Sequence, residues 1–317
     1  MEWARFVEAR ELLARHLPRP RLVRARSLER NPKQKVYLKL ESEMPTGSFK
    51  VRGAIYALSV HERVGGGARE VVASSTGNHG AAVAYAAQLL GWKARIFLPE
   101  KCNPVKRNNI ARLGAEIVEK GALDLAAAFA AAAEYALKSG AFFLNDATDP
   151  DLPAGPGTIA CEIFEQEPNV DAIYVPMGDT ALIRGVAAAA KHLSPAVKIF
   201  GVQAERAPSY YLSWKDGRAI ETETCDTIAD GLATRTPDAA NVEAIRSLID
   251  EVVLVGEDEM MRAIARLLTE EHVLAEPAGA AASAAFLKSG ETKHHCVALV
   301  VTGANISPEV LRAAVAR

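Results

Sequence analysis

The sequence predicts an α/β fold of open parallel sheets with helices packed on both faces. Two observations predict it: short apolar segments rich in β-branched residues alternate with longer helical patterns, and most of these segments are apolar throughout. A continuously apolar strand is expected where both faces of a sheet are buried. The predicted strands are residues 35–40, 70–74, 94–99, 115–119, 141–145, 172–176, 198–203, 251–255 and 296–302.

The segments between the strands are rich in alanine, and the clearest example is the helical pattern at 123–139. Alanine favours helix and its small side chain lets a helix lie close to a sheet, so we interpret this tract as packing. Open sheets of this kind place ligands beyond the carboxyl ends of their strands. Functional side chains are therefore expected in the loops that directly follow strands.

Length and composition limit the class of protein. The 317 residues fit one large α/β unit or two packed domains. The charged residues comprise 37 Lys and Arg against 39 Asp and Glu, with no basic run, so nucleic acid is not an expected partner. We find neither a signal peptide nor a long uncharged apolar stretch, so we expect a cytoplasmic protein with no membrane partner.

The four cysteines lie far apart in the sequence: Cys102, Cys161, Cys225 and Cys296. A zinc site or a dithiol motif needs closely spaced pairs, so we expect reduced thiols.

The first candidate site follows the predicted strand 35–40. The sequence ESEMPTGSFKVRGA places turn and N-cap residues just before Lys50, on the opening turn of a helix. A cation is disfavoured at the positive end of a helix dipole, so we expect the local field to lower the pKa of Lys50 and favour its neutral, nucleophilic amine. On this motif alone, a solvated surface lysine is equally consistent.

A second candidate site follows the predicted strand 70–74. The sequence SSTGNHG joins this strand to a helix, and exposed amides with small hydroxyls at a helix N-terminus bind carboxylate or phosphate groups. Taken alone, this loop is equally consistent with a plain glycine-containing turn. A histidine such as His79, taken alone, is more often a structural residue than a catalytic base.

Together the two motifs resemble a known family. PTGSFKVRGA followed by SSTGNHG is similar to the threonine dehydratase and serine racemase group of fold-type II pyridoxal-phosphate enzymes, whose tryptophan synthase β-like fold has two open parallel-sheet α/β domains. The resemblance continues in the family's order through 155–163, 175–185, 227–233, 276–281 and 301–306. It implies a large cofactor-binding domain from 1–68 and 146–317 and a small substrate-loop domain from 69–145.

The resemblance implies a role for each matching residue. Lys50 would bind pyridoxal 5'-phosphate as a Schiff base and, once displaced by the substrate amine, would remove the Cα proton. Phe49 would pack against the pyridine ring, Asn78 would bond the 3-oxygen of the ring, and Thr302 would place a hydroxyl against the pyridine nitrogen. The residues that would bind the substrate carboxylate are Ser75, Thr76, Gly77 and His79. The residues that would bind the phosphate are Gly178, Asp179, Thr180, Ala181 and Leu182.

The implied reaction is β-elimination. Because the hydroxyl of Thr302 is neutral, it would not enforce a protonated pyridinium, and the cofactor would be a weaker electron sink than transamination needs. A β-hydroxy amino acid such as threonine or serine would lose water and then yield a 2-oxo acid and ammonia. The family also suggests a homodimer. The chain ends at Arg317, soon after VTGANI, so a regulatory domain controlled by isoleucine is not expected.

The sequence departs from the family at three places. Residues 178–182 are Gly-Asp-Thr-Ala-Leu in place of four glycines and a leucine, and Asp179 would repel a phosphate dianion unless turned outward. Thr76 stands where racemases have a serine base, which makes racemisation less favoured than elimination. Gln203 occupies the family's divalent-metal site and Glu205 is displaced by two positions, so no metal is expected.

Alternatives stay open at this point. A racemase or a β-replacement synthase would use the same scaffold, and the altered phosphate loop is consistent with a catalytically weak protein that binds the cofactor or an amino acid. A nucleotide-binding Rossmann enzyme has little support, because no GxGxxG motif follows a strand with an acidic residue at the required distance.

Overall fold

The structure is a computed structural model that describes residues 1–65, 69–100, 104–119, 121, 124–290 and 293–317. The strands of these residues are β1 Leu22–Arg24, β2 Lys35–Leu40, β3 Glu70–Ser74, β4 Lys93–Phe97, β5 Glu116–Val118, β6 Phe142–Phe143, β7 Ala172–Pro176, β8 Lys198–Ala204, β9 Glu251–Val255 and β10 Cys296–Val301. The helices are α1 Trp3–Leu13, α2 Lys50–Arg63, α3 Asn78–Leu90, α4 Pro104–Arg112, α5 Leu125–Ser139, α6 Ala154–Gln166, α7 Ala181–Leu193, α8 Ser209–Asp216, α9 Ala239–Leu248, α10 Glu257–Glu270, α11 Pro277–Lys288 and α12 Pro308–Val315.

The strands form two open sheets. The larger has the order β1-β2-β10-β7-β8-β9, and the smaller has the order β5-β4-β3-β6. Every paired strand is parallel to its neighbour except β1, which is antiparallel to β2. Each predicted strand is present, so the predicted fold class is confirmed. The sequence prediction missed β1, a three-residue edge strand with no buried side chain.

Helices cover both faces of the larger sheet. Strand β10 is buried at every position, as the continuous apolar run predicted. On one face, Val297 and Leu299 pack in an apolar cluster with α10 and α11. On the other face, Ala298 and Val300 pack in a cluster with α6 and α7. This arrangement leaves only the ends of the strands open to a ligand.

The smaller sheet is covered in the same way. Helices α2 and α3 pack on one face, and α5 packs on the other through Ala128, Ala132 and Ala136. The interpretation of the alanine tract as packing is therefore confirmed. The domain boundaries at 68/69 and 145/146 stay a prediction; α2, which precedes the first of them, shares its apolar cluster with α3.

Cys161, Cys225 and Cys296 are free thiols, and Cys102 lies outside the described residues. Among the helices that the structure describes, none combines the length and apolar character that a membrane crossing requires.

Candidate active site

The candidate residues lie where parallel strands end. Strands β2, β10 and β7 are adjacent in the larger sheet, and their carboxyl ends lead to Lys50, Thr302 and the 178–182 loop. Strand β3 of the smaller sheet leads into residues 75–79. The fold thus brings together loops that are far apart in sequence.

Lys50 is held by a tight connection between two of these loops. Gly47 has a φ of +71°, a left-handed conformation that favours glycine, and it turns the chain into α2. The Phe49 amide donates to the Thr302 carbonyl (3.0 Å), and the Ala304 amide donates to the Gly47 carbonyl (2.9 Å). Lys50 is the first residue of α2, so backbone hydrogen bonds fix its position relative to Thr302.

The Lys50 amine is paired with a carboxylate that the sequence did not suggest. Its Nζ donates to Oδ2 of Asp146, which follows β6, and the two side chains are 20% and 19% exposed. Burial alone would lower the pKa of Lys50, but the charge and the hydrogen bond of Asp146 outweigh burial and raise it. Asp179 and Glu276 act in the same direction. The expected lowering of this pKa by the helix field is therefore wrong, because nearby carboxylates dominate.

His79 lies close to the Asp146 carboxylate. Its ring is buried, with Nε2 at 2.9 Å from the Leu144 carbonyl and Nδ1 at 3.8 Å from Asp146 Oδ2. Since a carbonyl only accepts, Nε2 carries a hydrogen and Nδ1 faces Asp146. Burial alone would raise the pKa of Asp146, but His79 and the Lys50 ammonium outweigh burial and lower it. Asp146 is thus a carboxylate that keeps its charge.

Asn78 begins α3 and connects the second loop to the larger sheet. Its Nδ2 donates to Glu276 Oε1 (2.7 Å), and its Oδ1 accepts from Asn305 Nδ2 (2.7 Å). The preceding residues Ser75, Thr76 and Gly77 are half-buried, and the Gly77 amide donates to Ser75 Oγ (3.3 Å). The N-terminus of α3 therefore opens toward the site with small, polar residues.

The 178–182 loop forms the N-terminus of α7. Gly178 packs against the Gly231 carbonyl so closely that a Cβ at this position would overlap it. Thr180 has a left-handed φ of 67°, and its hydroxyl accepts from Arg184 Nε (3.2 Å). Ala181 begins the helix, and the side chain of Leu182 is buried in the core. The helix thus presents its first amides at the end of β7.

Asp179 is turned inward, not outward. Its Oδ1 accepts from Thr234 Oγ1 (2.9 Å), and its side chain lines a cavity shared with Asp146. Burial and the charge of Asp146 raise the pKa of Asp179. Asp179 therefore takes up a proton at a higher pH than an ordinary aspartate does.

The cavity has a volume of about 250 Å³, and Asp146, the hydrogen-bond partner of the Lys50 amine, is one of its lining residues. Its polar lining includes Ser74, Asp146 and Asp179, and Phe129 and Phe143 form an apolar wall. Apolar walls with a few convergent polar groups are typical of small-ligand sites.

Sequence reasoning missed Asp146, Glu276 and Asn305 as members of the site. Glu276 and Asn305 lie in segments that carried the resemblance, EPAGAA and VTGANI, and Asp146 lies in a loop that follows a predicted strand. That position after a strand was the available signal for Asp146.

At the position of the family's metal site, the side chains form hydrogen bonds with other residues of the chain. Gln203 Oε1 accepts from the Tyr211 amide (2.9 Å), and Glu205 accepts from Lys288 (2.8 Å). The described part of the chain contains no group of three or more His, Cys, Asp and Glu side chains arranged to hold a metal. The expectation of no metal stays a prediction.

Comparisons with known proteins agree with this geometry. A family model described as pyridoxal-phosphate dependent enzyme matches residues 14–303. The L-threonine ammonia-lyase of Thermotoga maritima is 41% identical over 279 residues, which cover 87% of this chain and 68% of that protein.

Two solved structures are also similar. Threonine deaminase isoform 2 of Solanum lycopersicum, in its processed form, has a TM-score of 0.90, 29% identity and coverage of 99% and 88%. Maize serine racemase has a TM-score of 0.89, 28% identity and coverage of 98% and 95%.

Proposed function

Because the chain belongs to the pyridoxal-phosphate dependent enzyme family, we propose that it is an ammonia-lyase that acts on a β-hydroxy amino acid such as threonine or serine. The products are a 2-oxo acid and ammonia. The relatives that support this proposal are named L-threonine ammonia-lyases, and one of them is 41% identical. The observation that carries it is the largely buried amine of Lys50 at the first turn of α2, hydrogen-bonded to Asp146, which lines a small cavity.

The residues around Lys50 fit the cofactor. Phe49, Asn78 and Thr302 surround the start of α2 and would contact the ring, and the first amides of α7 would bind the phosphate. Three buried hydroxyls in these loops, Thr46 Oγ1, Ser48 Oγ and Ser74 Oγ, have no hydrogen-bond partner among the described residues. Such unmet hydrogen-bonding capacity is expected where a polar ligand binds. When bound, the cofactor supplies an electron sink for the Cα carbanion.

The chain's own residues supply binding and proton transfer. Small residues at the N-terminus of α3, Ser75 to Gly77 with His79, would hold the substrate carboxylate. Phe129 and Phe143 give one side of the cavity an apolar lining. The Lys50 amine, in its neutral form, would take the proton from Cα.

A racemase is the second candidate, favoured by the similarity to maize serine racemase. Thr76 carries a hydroxyl in the loop where a second base would act, but its extra methyl group narrows the space next to Cα. We therefore place elimination before racemisation, and a β-replacement synthase or a weak cofactor-binding protein after both.

The test is a product assay with L-threonine and L-serine. We expect a 2-oxo acid and ammonia in equal amounts, and a loss of at least about a thousandfold in kcat for Lys50→Ala, since one group both holds the cofactor and moves the proton. A D-amino acid formed without oxo acid would contradict the order of the candidates. Full activity of the Lys50→Ala variant would contradict the site.

We also propose that the protein is a cytoplasmic homodimer with no nucleic-acid or membrane partner. The balanced charge of the sequence supports the absence of a nucleic-acid partner. Light scattering of the purified protein would measure the oligomeric state.

A further inference from the structure

We propose that Asp146 is a positioning residue for Lys50, which holds the Lys50 ammonium by a hydrogen bond at the edge of the site and so makes Lys50 a stronger base. This role rests on the proposed function. Its starting point is the hydrogen bond from Lys50 Nζ to Asp146 Oδ2 between two side chains that are four-fifths buried. In such surroundings an ion pair is screened less than at the surface.

The charged and titratable groups around this pair come from several elements. His79 on α3 lies 3.8 Å from Asp146, Asp179 follows β7, and Glu276 precedes α11. Asp179 accepts from Thr234, and Glu276 accepts from Asn78. Among the described carboxylates, Asp146 is the one hydrogen-bonded to Lys50, and its pKa is lowered whereas that of Asp179 is raised.

The proton transfer gives this carboxylate its role. When Lys50 takes the Cα proton, the C–H bond breaks, its electron pair stays on the substrate side, and a new N–H bond turns the amine into an ammonium. Asp146 stabilises that positive charge by its own negative charge and by a hydrogen bond. Asp146 need not touch the substrate for this effect.

Removal of this charge should act in opposite directions on two processes. Covalent loading of the cofactor needs the neutral Lys50 amine, which becomes more abundant at neutral pH when Asp146 no longer stabilises the ammonium. Turnover needs a strong base, which becomes weaker for the same reason. A variant that is only misfolded would lose both processes together.

The experiment uses Asp146→Asn, which keeps the shape and removes the charge. In the cofactor-free protein, we expect the pH midpoint of the rate of pyridoxal 5'-phosphate loading, followed by absorbance, to move about one unit lower, so that loading below the midpoint is about tenfold faster. In the loaded enzyme, we expect the acid limb of the kcat profile to move to lower pH and KM to change little. On the plateau above that limb, where Lys50 is neutral in both proteins, we expect kcat to fall by up to about tenfold because the amine is a weaker base.

Two further variants make the result decisive. Asp151→Asn removes a carboxylate of the same loop that pairs with Arg5, and should leave both profiles unchanged. Asp146→Glu keeps the charge and should give values between those of the wild type and Asp146→Asn. An unchanged loading midpoint in Asp146→Asn, an unchanged kcat, or a glutamate variant that matches the asparagine variant would overturn the proposal.

The loading measurement also separates this proposal from the proposed function. If the wild type forms no oxo acid from any amino acid, the proposed function fails, and the loading profile in the absence of substrate still shows whether Asp146 controls Lys50. If oxo acid forms and the loading midpoint does not move, the function stands and the role of Asp146 fails.

Discussion

Helix α2 carries two buried cations whose surroundings differ in charge balance. Arg52 bonds to Glu41 (2.8 and 3.0 Å) and Glu162 (2.7 and 2.8 Å), and Lys39 also bonds to Glu162 (2.5 Å). We call these four residues the Arg52 network; it holds two cations and two anions. Two residues earlier on the helix, Lys50 faces the other way, because residues i and i+2 do not share a helix face.

The group around Lys50 is not balanced. It comprises Lys50, His79 and the three carboxylates of Asp146, Asp179 and Glu276, and we call it the Lys50 cluster. Water reaches Lys50 and Asp146, which are 20% and 19% exposed, whereas Arg52 and Glu41 are 2% and 0% exposed. The Arg52 network is buried and has equal numbers of cations and anions, so it fixes the start of α2. The Lys50 cluster is more exposed to water and has more carboxylates than cations. From this difference we assign a structural role to the Arg52 network and a reactive role to the Lys50 cluster.

The largest expected effect compares Arg52→Met with Lys50→Met. Loss of Arg52 leaves Glu41 and Glu162 buried with too few partners, so we expect the free energy of unfolding to fall by about 3–5 kcal/mol. Loss of Lys50 leaves Asp146 beside His79 and within reach of water, so we expect a smaller fall than for Arg52→Met. Urea unfolding of the cofactor-free variants measures both changes in the free energy of unfolding. Equal changes would contradict the distinction between the Arg52 network and the Lys50 cluster.

Sequence patterns were sufficient for the fold but not for these charges. Apolar runs predicted the strands that are buried on both faces, such as β7 and β10, because such burial requires consecutive apolar residues. The edge strand β1 has three residues and no buried side chain, so the sequence there contains no apolar run long enough to predict a strand.

Contacts that depend on tertiary folding were not visible in the sequence. Asp146 reaches Lys50 across 96 positions of the chain, and no periodicity connects the two. For that reason the pKa of Lys50 was expected to fall, since only the dipole of its own helix could be considered. The loops themselves were predicted from their positions after strands, which is a property of the fold class.

A second, smaller effect concerns the charge of Asp179 in the Lys50 cluster. Asp179→Asn removes a negative charge near the proposed phosphate site, so we expect the cofactor to bind about fivefold more tightly. The pKa of Asp179 is raised, which means that its carboxyl is charged only at higher pH. The gain should therefore grow as pH rises and vanish as pH falls below that pKa.

Titration of the absorbance of the bound cofactor measures this affinity. The control is Asp258→Asn, which removes an exposed carboxylate that pairs with Arg317 and should leave affinity unchanged. Weaker cofactor binding by Asp179→Asn would show that the phosphate needs this side chain, contrary to our account.

The smallest expected effect concerns the backbone of the same loop. Thr180 adopts a left-handed conformation that is unfavourable for a β-branched residue, and its hydroxyl accepts from Arg184. Thr180→Gly relieves the strain and loses the hydroxyl, whereas Thr180→Val keeps the strain and loses the hydroxyl. We expect Thr180→Val to be less stable than Thr180→Gly by about 1 kcal/mol in urea unfolding. The reverse order would show that backbone strain is not the main cost at this position.

The most direct test of the central claim is to locate the covalent bond between protein and cofactor. The reconstituted protein is reduced with borohydride, digested, and mapped by mass spectrometry. Our account predicts that the cofactor is fixed to the ε-amine of Lys50 and that Lys50→Ala gives no adduct. An adduct on another lysine, or none in the wild type, would contradict it.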